Sequence, residues 1–360
     1  MIKPALTLVL ALAGVAASTA HAQAPATAPG DTVVTGSERG TYLQIGRDLS
    51  RLVAAPAGMQ LGVLPSKGSA ENVRRLRTEP GVRLALVQSD VVQAFMDEAE
   101  AGNAEAADLV KPLRVILPLY NEEIYFVTRA DSPLTHIHEI KDKRINIGPV
   151  GSGTALSATT LYRQMFGAAI SARNASFLSN EDALLKLATD RSIDVAVIVA
   201  GQPAKLFADM TPQARQYIKL LKLDPQAAES QAAAATYTAS AIRAASYPNW
   251  LQQDVPTLTT RALLVTYNFQ TSAAREMLTR FADSLCSNFA QLRTEGHAKW
   301  QEVQLSQPPL GKGWSYYGPT VRTIATCNTA LAKTPVQAAT AAVAPSACPQ
   351  SKQVLGLCRP

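Results

Sequence analysis

Thr32-Val33-Val34-Thr35-Gly36-Ser37-Glu38-Arg39-Gly40-Thr41-Tyr42 opens the folded part of the chain and decides its class. The β-branched run Thr32 to Thr35 predicts a strand, Gly36 to Gly40 a loop, and the apolar periodicity from Thr41 to Ala54 a helix. The same order then recurs. Leu61 to Leu64 reads as a strand, and Ser69-Ala70-Glu71-Asn72 opens a helix with a capping serine and an acidic first turn. Val82 to Val87 is a third strand, followed by a helix from about Ser89. Strands alternating with helices predict an α/β fold, a mainly parallel sheet covered by helices on both faces.

Further along, Leu113 to Tyr120 and Ile124 to Thr128 are two strand-like runs. Arg144 to Ile147 is a strand leading into Gly148-Pro149-Val150-Gly151-Ser152-Gly153-Thr154 and a helix ending near Phe166. Asn180 to Thr189 is a capped helix, Val195 to Val199 a buried strand, Leu258 to Thr266 a strand, and Ser272 to Arg293 a long amphipathic helix. Two α/β domains fit the 360 residues better than one. With 47% hydrophobic and 17% charged residues the chain is no disordered polymer. Its formal charge of +6 is spread without a Lys/Arg tract, which argues against a nucleic-acid partner. No apolar run reaches the roughly 18 residues of a membrane-spanning helix.

The N-terminus indicates export. Lys3 precedes an apolar stretch, Ala5 to Ala17, too short to span a bilayer, and Ala20-His21-Ala22 offers small residues for cleavage after Ala22. Residues 1–22 are therefore expected to be a signal peptide, 23–30 a disordered lead and 334–360 a disordered Ala/Pro-rich tail, on a protein destined for the periplasm. Four cysteines allow three pairings. The sequential one, Cys286 with Cys327 and Cys348 with Cys358, is expected in an oxidising compartment. None of them has the spacing of a zinc site.

Gly148 to Thr154 is the sharpest chemical feature. A glycine-rich turn between strand and helix aims free backbone N–H groups and the helix dipole at one point. The spacing of Gly148 and Gly153 is that of a phosphate loop, but Thr154 stands where the lysine belongs. A small carboxylate or similar anion is the better guest, although a tight turn without any ligand reads the same way. Val150 removes the nucleophile-elbow pattern around Ser152. His136 and His138, two apart at a helix start, are expected to face different ways on the surface. Of the neighbours Glu122 and Glu123, one is expected to face solvent, and Arg74, Arg75 and Arg77 to form a solvated face. No catalytic constellation, metal site or cofactor site emerges, so an enzyme is not expected.

Several stretches resemble the solute receptors of tripartite ATP-independent periplasmic (TRAP) transporters, specifically the TAXI class. They are Thr35-Gly36 with Gly40-Thr41-Tyr42-Leu43-Gln44-Ile45-Gly46, Gly68-Ser69-Ala70-Glu71-Asn72-Val73, and Val87-Gln88-Ser89-Asp90-Val91. Leu119-Tyr120 leading to Thr128-Arg129-Ala130-Asp131-Ser132, then Gly148 to Thr154, then Asp254-Val255-Pro256-Thr257 with Leu263-Leu264-Val265 follow in order, covering about residues 31–325. The resemblance implies a two-lobed periplasmic binding protein of type II-like architecture, two mainly parallel sheets flanked by helices around a hinged cleft. Lobe 1 would comprise residues 31–128 plus 246–333, and lobe 2 residues 129–245. Thr41, Tyr42, Ser69, Gln88, Ser89 and Tyr120 would meet Gly151, Ser152, Gly153 and Thr154 across the cleft. Glu38-Arg39 interrupts a loop that is glycine-rich in that class, which adds Arg39 as a ligand-binding candidate, and Ala155 stands where an acidic residue is common. The implied activity is capture of a small organic anion, carboxylate or amino acid, by a monomer that hands it to integral membrane TRAP permease subunits. A secreted hydrolase, and a periplasmic sensor or scaffold uncoupled from transport, are the alternatives.

Overall fold

The computed structural model describes residues 30–333. The signal peptide, nearly all of the lead, the tail, and the pairing of Cys348 with Cys358 lie outside the described residues. Ten strands, β1 (Thr32–Val34), β2 (Gly62–Leu64), β3 (Val82–Gln88), β4 (Leu113–Arg129), β5 (Ile145–Asn146), β6 (Ala175–Ser176), β7 (Val195–Ala200), β8 (Ile218–Leu220), β9 (Thr238–Ile242) and β10 (Val255–Tyr267), form one mixed sheet. Its order is β2-β1-β3-β10-β4-β7-β5-β6, with β8 on β4 and β9 on β10.

Both ends of the sheet are parallel, as the strand–helix alternation predicts: β2, β1 and β3 at one end and β7, β5 and β6 at the other. The centre differs from the expected two mainly parallel sheets. There β10 and β4 run antiparallel to each other and to their neighbours and pass from one lobe into the other. The two runs read as separate strands around Asn121-Glu122-Glu123 are the single 17-residue β4. The polar triplet interrupts the apolar pattern without breaking the backbone, because its two carboxyl groups find partners inside the molecule.

The packing divides where these strands cross. Val33, Leu86, Leu117 and Tyr120 are buried with Ala262, Leu264, Phe281 and Trp300. Ile124, Phe126, Ile147, Leu161 and Val197 are buried with Leu258. Residues 121–123 of β4 and 259–261 of β10 thus lie between two cores.

Five helices matter for the site, α1 (Thr41–Asp48), α2 (Ser69–Thr78), α3 (Ser89–Glu100), α5 (Gly153–Phe166) and α6 (Asn180–Ala188), while α4 (Ala104–Val110) packs against α2 and α3. Ser152 caps α5 by accepting from the Ala155 N–H at 3.0 Å, and Ser179 caps α6 by accepting from the Asp182 N–H at 3.1 Å. Ser69 does not cap α2 as expected. Gly68 holds that position at φ 125°, a backbone suited to glycine, and Ser69 turns its hydroxyl to Gln88.

The long C-terminal helix is two, Ser272–Ser287 and Phe289–Glu295, parted at Asn288, whose side chain bonds back to the Ser284 carbonyl. Cys286 and Cys327 are disulfide-bonded, as expected, with Cα atoms 5.7 Å apart, tying the first of these helices to Gly318–Lys333. The imidazoles of His136 and His138 do not diverge. His136 sits extended at the N-cap of a 3₁₀ turn that contains His138, and their rings stack 5.5 Å apart. Among the described residues no helix is long and apolar enough to cross a membrane.

Candidate functional site

A cavity of about 220 Å³ lies between the lobes. The first residues of α1 and α2 reach it from one side, and those of α5 and α6 from the other. Each helix start carries backbone N–H groups without an intrahelical partner and the positive end of its dipole. Four such ends around one small space make it attractive to an anion. Arg39 and Lys67 add two cations to the lining. Arg39 also reaches across to Asp209 of lobe 2 at 3.7 Å, both side chains being about two-fifths exposed. Ile198, Val199, Ala200 and Leu206 supply an apolar wall.

Of the residues singled out in the sequence, Arg39, Thr41, Tyr42, Ser69, Gln88, Ser152, Gly153 and Thr154 line this cavity. Their hydroxyls are already engaged. Thr41 Oγ1 donates across the cleft to the Gly201 carbonyl at 2.7 Å, and Thr154 Oγ1 accepts from the Val199 N–H at 3.3 Å. Ser69 Oγ accepts from the Gln88 N–H at 3.0 Å and donates to Gln88 Oε1 at 3.2 Å. The lobes meet so closely that a Cβ on Gly153 would fall 1.4 Å from Gln88 Oε1, so any larger residue there must displace the Gln88 side chain.

Three candidates lie off the cavity lining. Ser89 Oγ turns to Thr260 Oγ1 and the Arg261 N–H. Gly151 accepts the Glu71 N–H at 3.0 Å, a backbone link between the lobes. Tyr120 is fully buried, its ring 5.8 Å from the Lys299 ammonium.

Reading from sequence alone did not find Lys67, Asn180, Glu181 and Glu122, which also line the cavity. The capped start at Ser179-Asn180 was a usable signal. For Glu122 there was none. Neither carboxylate of the Glu122–Glu123 pair faces solvent, contrary to expectation; they are 3% and 2% exposed. Successive residues of a strand point to opposite faces, and where β4 passes between the lobes both faces are covered.

Glu123 receives the Lys299 ammonium at 2.7 Å together with the backbone N–H and the side-chain amide of Gln202. Glu122 accepts only from Tyr42 Oη, at 2.5 Å on Oε2, among the described residues. Burial pushes the Glu122 carboxyl up to about 8, with Asp90 and Glu123 adding to the shift and the Tyr42 hydroxyl opposing it.

A second contact between the lobes centres on Asp90 at the start of α3. It accepts from Ser157 of α5 at 2.5 Å, from Tyr237 at 2.9 Å and from Thr260 at 3.0 Å. Burial raises the Asp90 carboxyl and these bonds oppose the rise. Among the described residues no cluster of three or more His, Cys, Asp or Glu could hold a metal ion.

A sequence profile described as the NMT1-like family matches residues 33–307. Solved structures similar to this chain include a Candida albicans gene product described as having the generic periplasmic binding protein fold. It shares 10% identity over 85% of this chain and 91% of that one, with a TM-score of 0.48. The periplasmic binding protein BugD shares 11% over 84% and 95%, also with a TM-score of 0.48. A Xanthomonas citri protein bound to ATP shares 11% over 84% and 97%, with a TM-score of 0.44. Likenesses this distant decide neither ligand nor activity.

Proposed function

The chain belongs to the NMT1-like family, and with that membership as premise we infer that it is a periplasmic solute receptor for a small organic anion, a carboxylate or amino acid. It is a monomer, exported by cleavage after Ala22, and it delivers its ligand to a membrane permease of TRAP type. The observation that carries the reading is the convergence of four helix starts with Arg39 and Lys67 on one cavity between two lobes. The lobes hinge at residues 121–123 and 259–261. In the open form those helix ends face water, and closure replaces water with the ligand's anionic group. The contacts of Thr41 with Gly201, of Glu71 with Gly151, and of Asp90 with Ser157 form only on closure, so they add to the grip without touching the ligand.

The test is to recover the mature protein from a periplasm, denature it and identify what it releases by mass spectrometry. The expected result is a chain beginning at Gln23 and a small carboxylate. A neutral or cationic ligand would overturn the anion reading, and turnover of an ester by the purified protein would favour a hydrolase instead.

A further inference from the structure

Glu122 is, with Glu181, an acidic group lining a cavity whose helix starts, Arg39 and Lys67 favour negative charge. It lines the cavity and bonds through Oε2 to Tyr42, which leaves Oε1 on the same carboxyl for a guest. The groups around it do not neutralise it. Asp90 of α3 and Glu123 of β4 are like charges, and Tyr42 of α1 and Tyr120 of β4 are neutral phenols. Lys299 is a cation in its field, but its ammonium is taken by Glu123 at 2.7 Å and Glu302 at 2.9 Å. Arg39, Lys67 and Glu181 also line the cavity without bonding to Glu122, and Arg39 is paired with Asp209. An ionised carboxyl there would be buried without a counter-ion, the costliest state such a group can take.

We propose that Glu122 rests protonated and donates that proton in a hydrogen bond to an oxygen of the bound anion, so that it selects an accepting oxygen at this end of the ligand and rejects an ammonium. The inference rests on the anion reading above and adds a residue and a proton to it. Burial already holds the group near 8 without ligand, and an anion beside it pushes it higher. Below that pH the free receptor carries the proton already and binding is indifferent to pH. Above it, capture takes up a proton from solvent, and affinity falls about tenfold per pH unit.

Calorimetry of the mature protein with succinate, pyruvate and L-glutamate as probes, between pH 6 and 9.5, tests this. The expected Kd of the binding probe is flat to about pH 8 and then rises. Its heat at pH 9 should vary with the ionisation enthalpy of the buffer, as uptake of close to one proton requires. Glu122→Gln keeps an N–H donor in place, so it should bind at pH 7 within about tenfold of wild type and lose the pH dependence. Tyr42→Phe removes the bond that favours the ionised form and should move the break to higher pH, a second reading should the first variant misfold. A Kd that stays flat to pH 9.5 overturns the proposal while leaving the anion reading intact. So does an affinity that improves through pH 8 and vanishes in Glu122→Gln, the behaviour of a carboxylate gripping an ammonium. If no probe binds at any pH, the anion reading fails and this inference fails with it.

Discussion

Gly153 shows how much one absent methyl can decide. Its missing Cβ is where the Gln88 amide sits when the lobes meet, so Gly153→Ala makes the Gln88 and Ser69 side chains give way at the contact between lobes while leaving each lobe's own core untouched. Overpacking of this kind costs about 1–3 kcal/mol, so ligand affinity should fall about tenfold to a hundredfold with little change in the melting temperature of the ligand-free protein. Calorimetry beside a thermal melt checks both halves. Glu122 makes a prediction about stability that needs no ligand. Its folded value is raised from 4.5 to about 8, so between those pH values the folded chain holds a proton that the unfolded chain has released. That stability is fully present below about pH 4.5 and drains away as the pH climbs to 8. Urea midpoints of wild type and Glu122→Gln measured across this range should therefore diverge as the pH rises, the wild type losing more. Of the cavity lining, Ser152, Gly153 and Thr154 were legible in the glycine-rich turn, and Thr41 and Ser69 through the family resemblance, whereas Ser37, Ser66 and Ser179 were not marked. Glu122 was not, since the alternation of a strand says which neighbours oppose each other and nothing about whether both faces are covered.

At the scale of elements, the strands and helices were mostly visible in the apolar periodicity, and the departures share a cause. Asn121-Glu122-Glu123 reads as a break, yet β4 continues through it because Tyr42, Gln202 and Lys299 satisfy the carboxylates from other elements. Long-range partners leave no local mark. Lys299 is fully buried, and replacing it with methionine would strand Glu123 without its cation. Breaking a buried pair from one side costs about 3–5 kcal/mol, so Lys299→Met should lower the urea midpoint markedly at neutral pH. The disulfide between Cys286 and Cys327 closes a loop of 41 residues. Reducing it should cost about 2–4 kcal/mol, recorded as a lower urea midpoint for probes in lobe 1.

For the whole molecule, the α/β class and the two-lobed plan followed from motif order, whereas the single mixed sheet did not. Pairing β10 with β3 and β4 joins residues far apart in the chain, and no periodicity encodes it. Closure can be tested at this scale. Ser157→Ala removes a bond to buried Asp90 that the closed form makes, and one such bond is worth about 1–3 kcal/mol. Small-angle scattering should show wild type contracting when ligand is added, and the variant should need about tenfold more ligand or greater to contract as far.

The place of β10 also fixes the order in which the molecule can be completed as it is made. Lobe 2 is nearly continuous in sequence, but β10 lies in the middle of the sheet, between β3 and β4, and comes last of all the strands. The N-terminal strands therefore wait, unpaired along one edge, until more than two-thirds of the polypeptide has emerged from the ribosome. A nascent chain stalled at residue 254 should be cut readily by protease within residues 31–120. One released at full length, with β10 and the helices that complete this core free, should resist, so the first-made strands are among the last to become native.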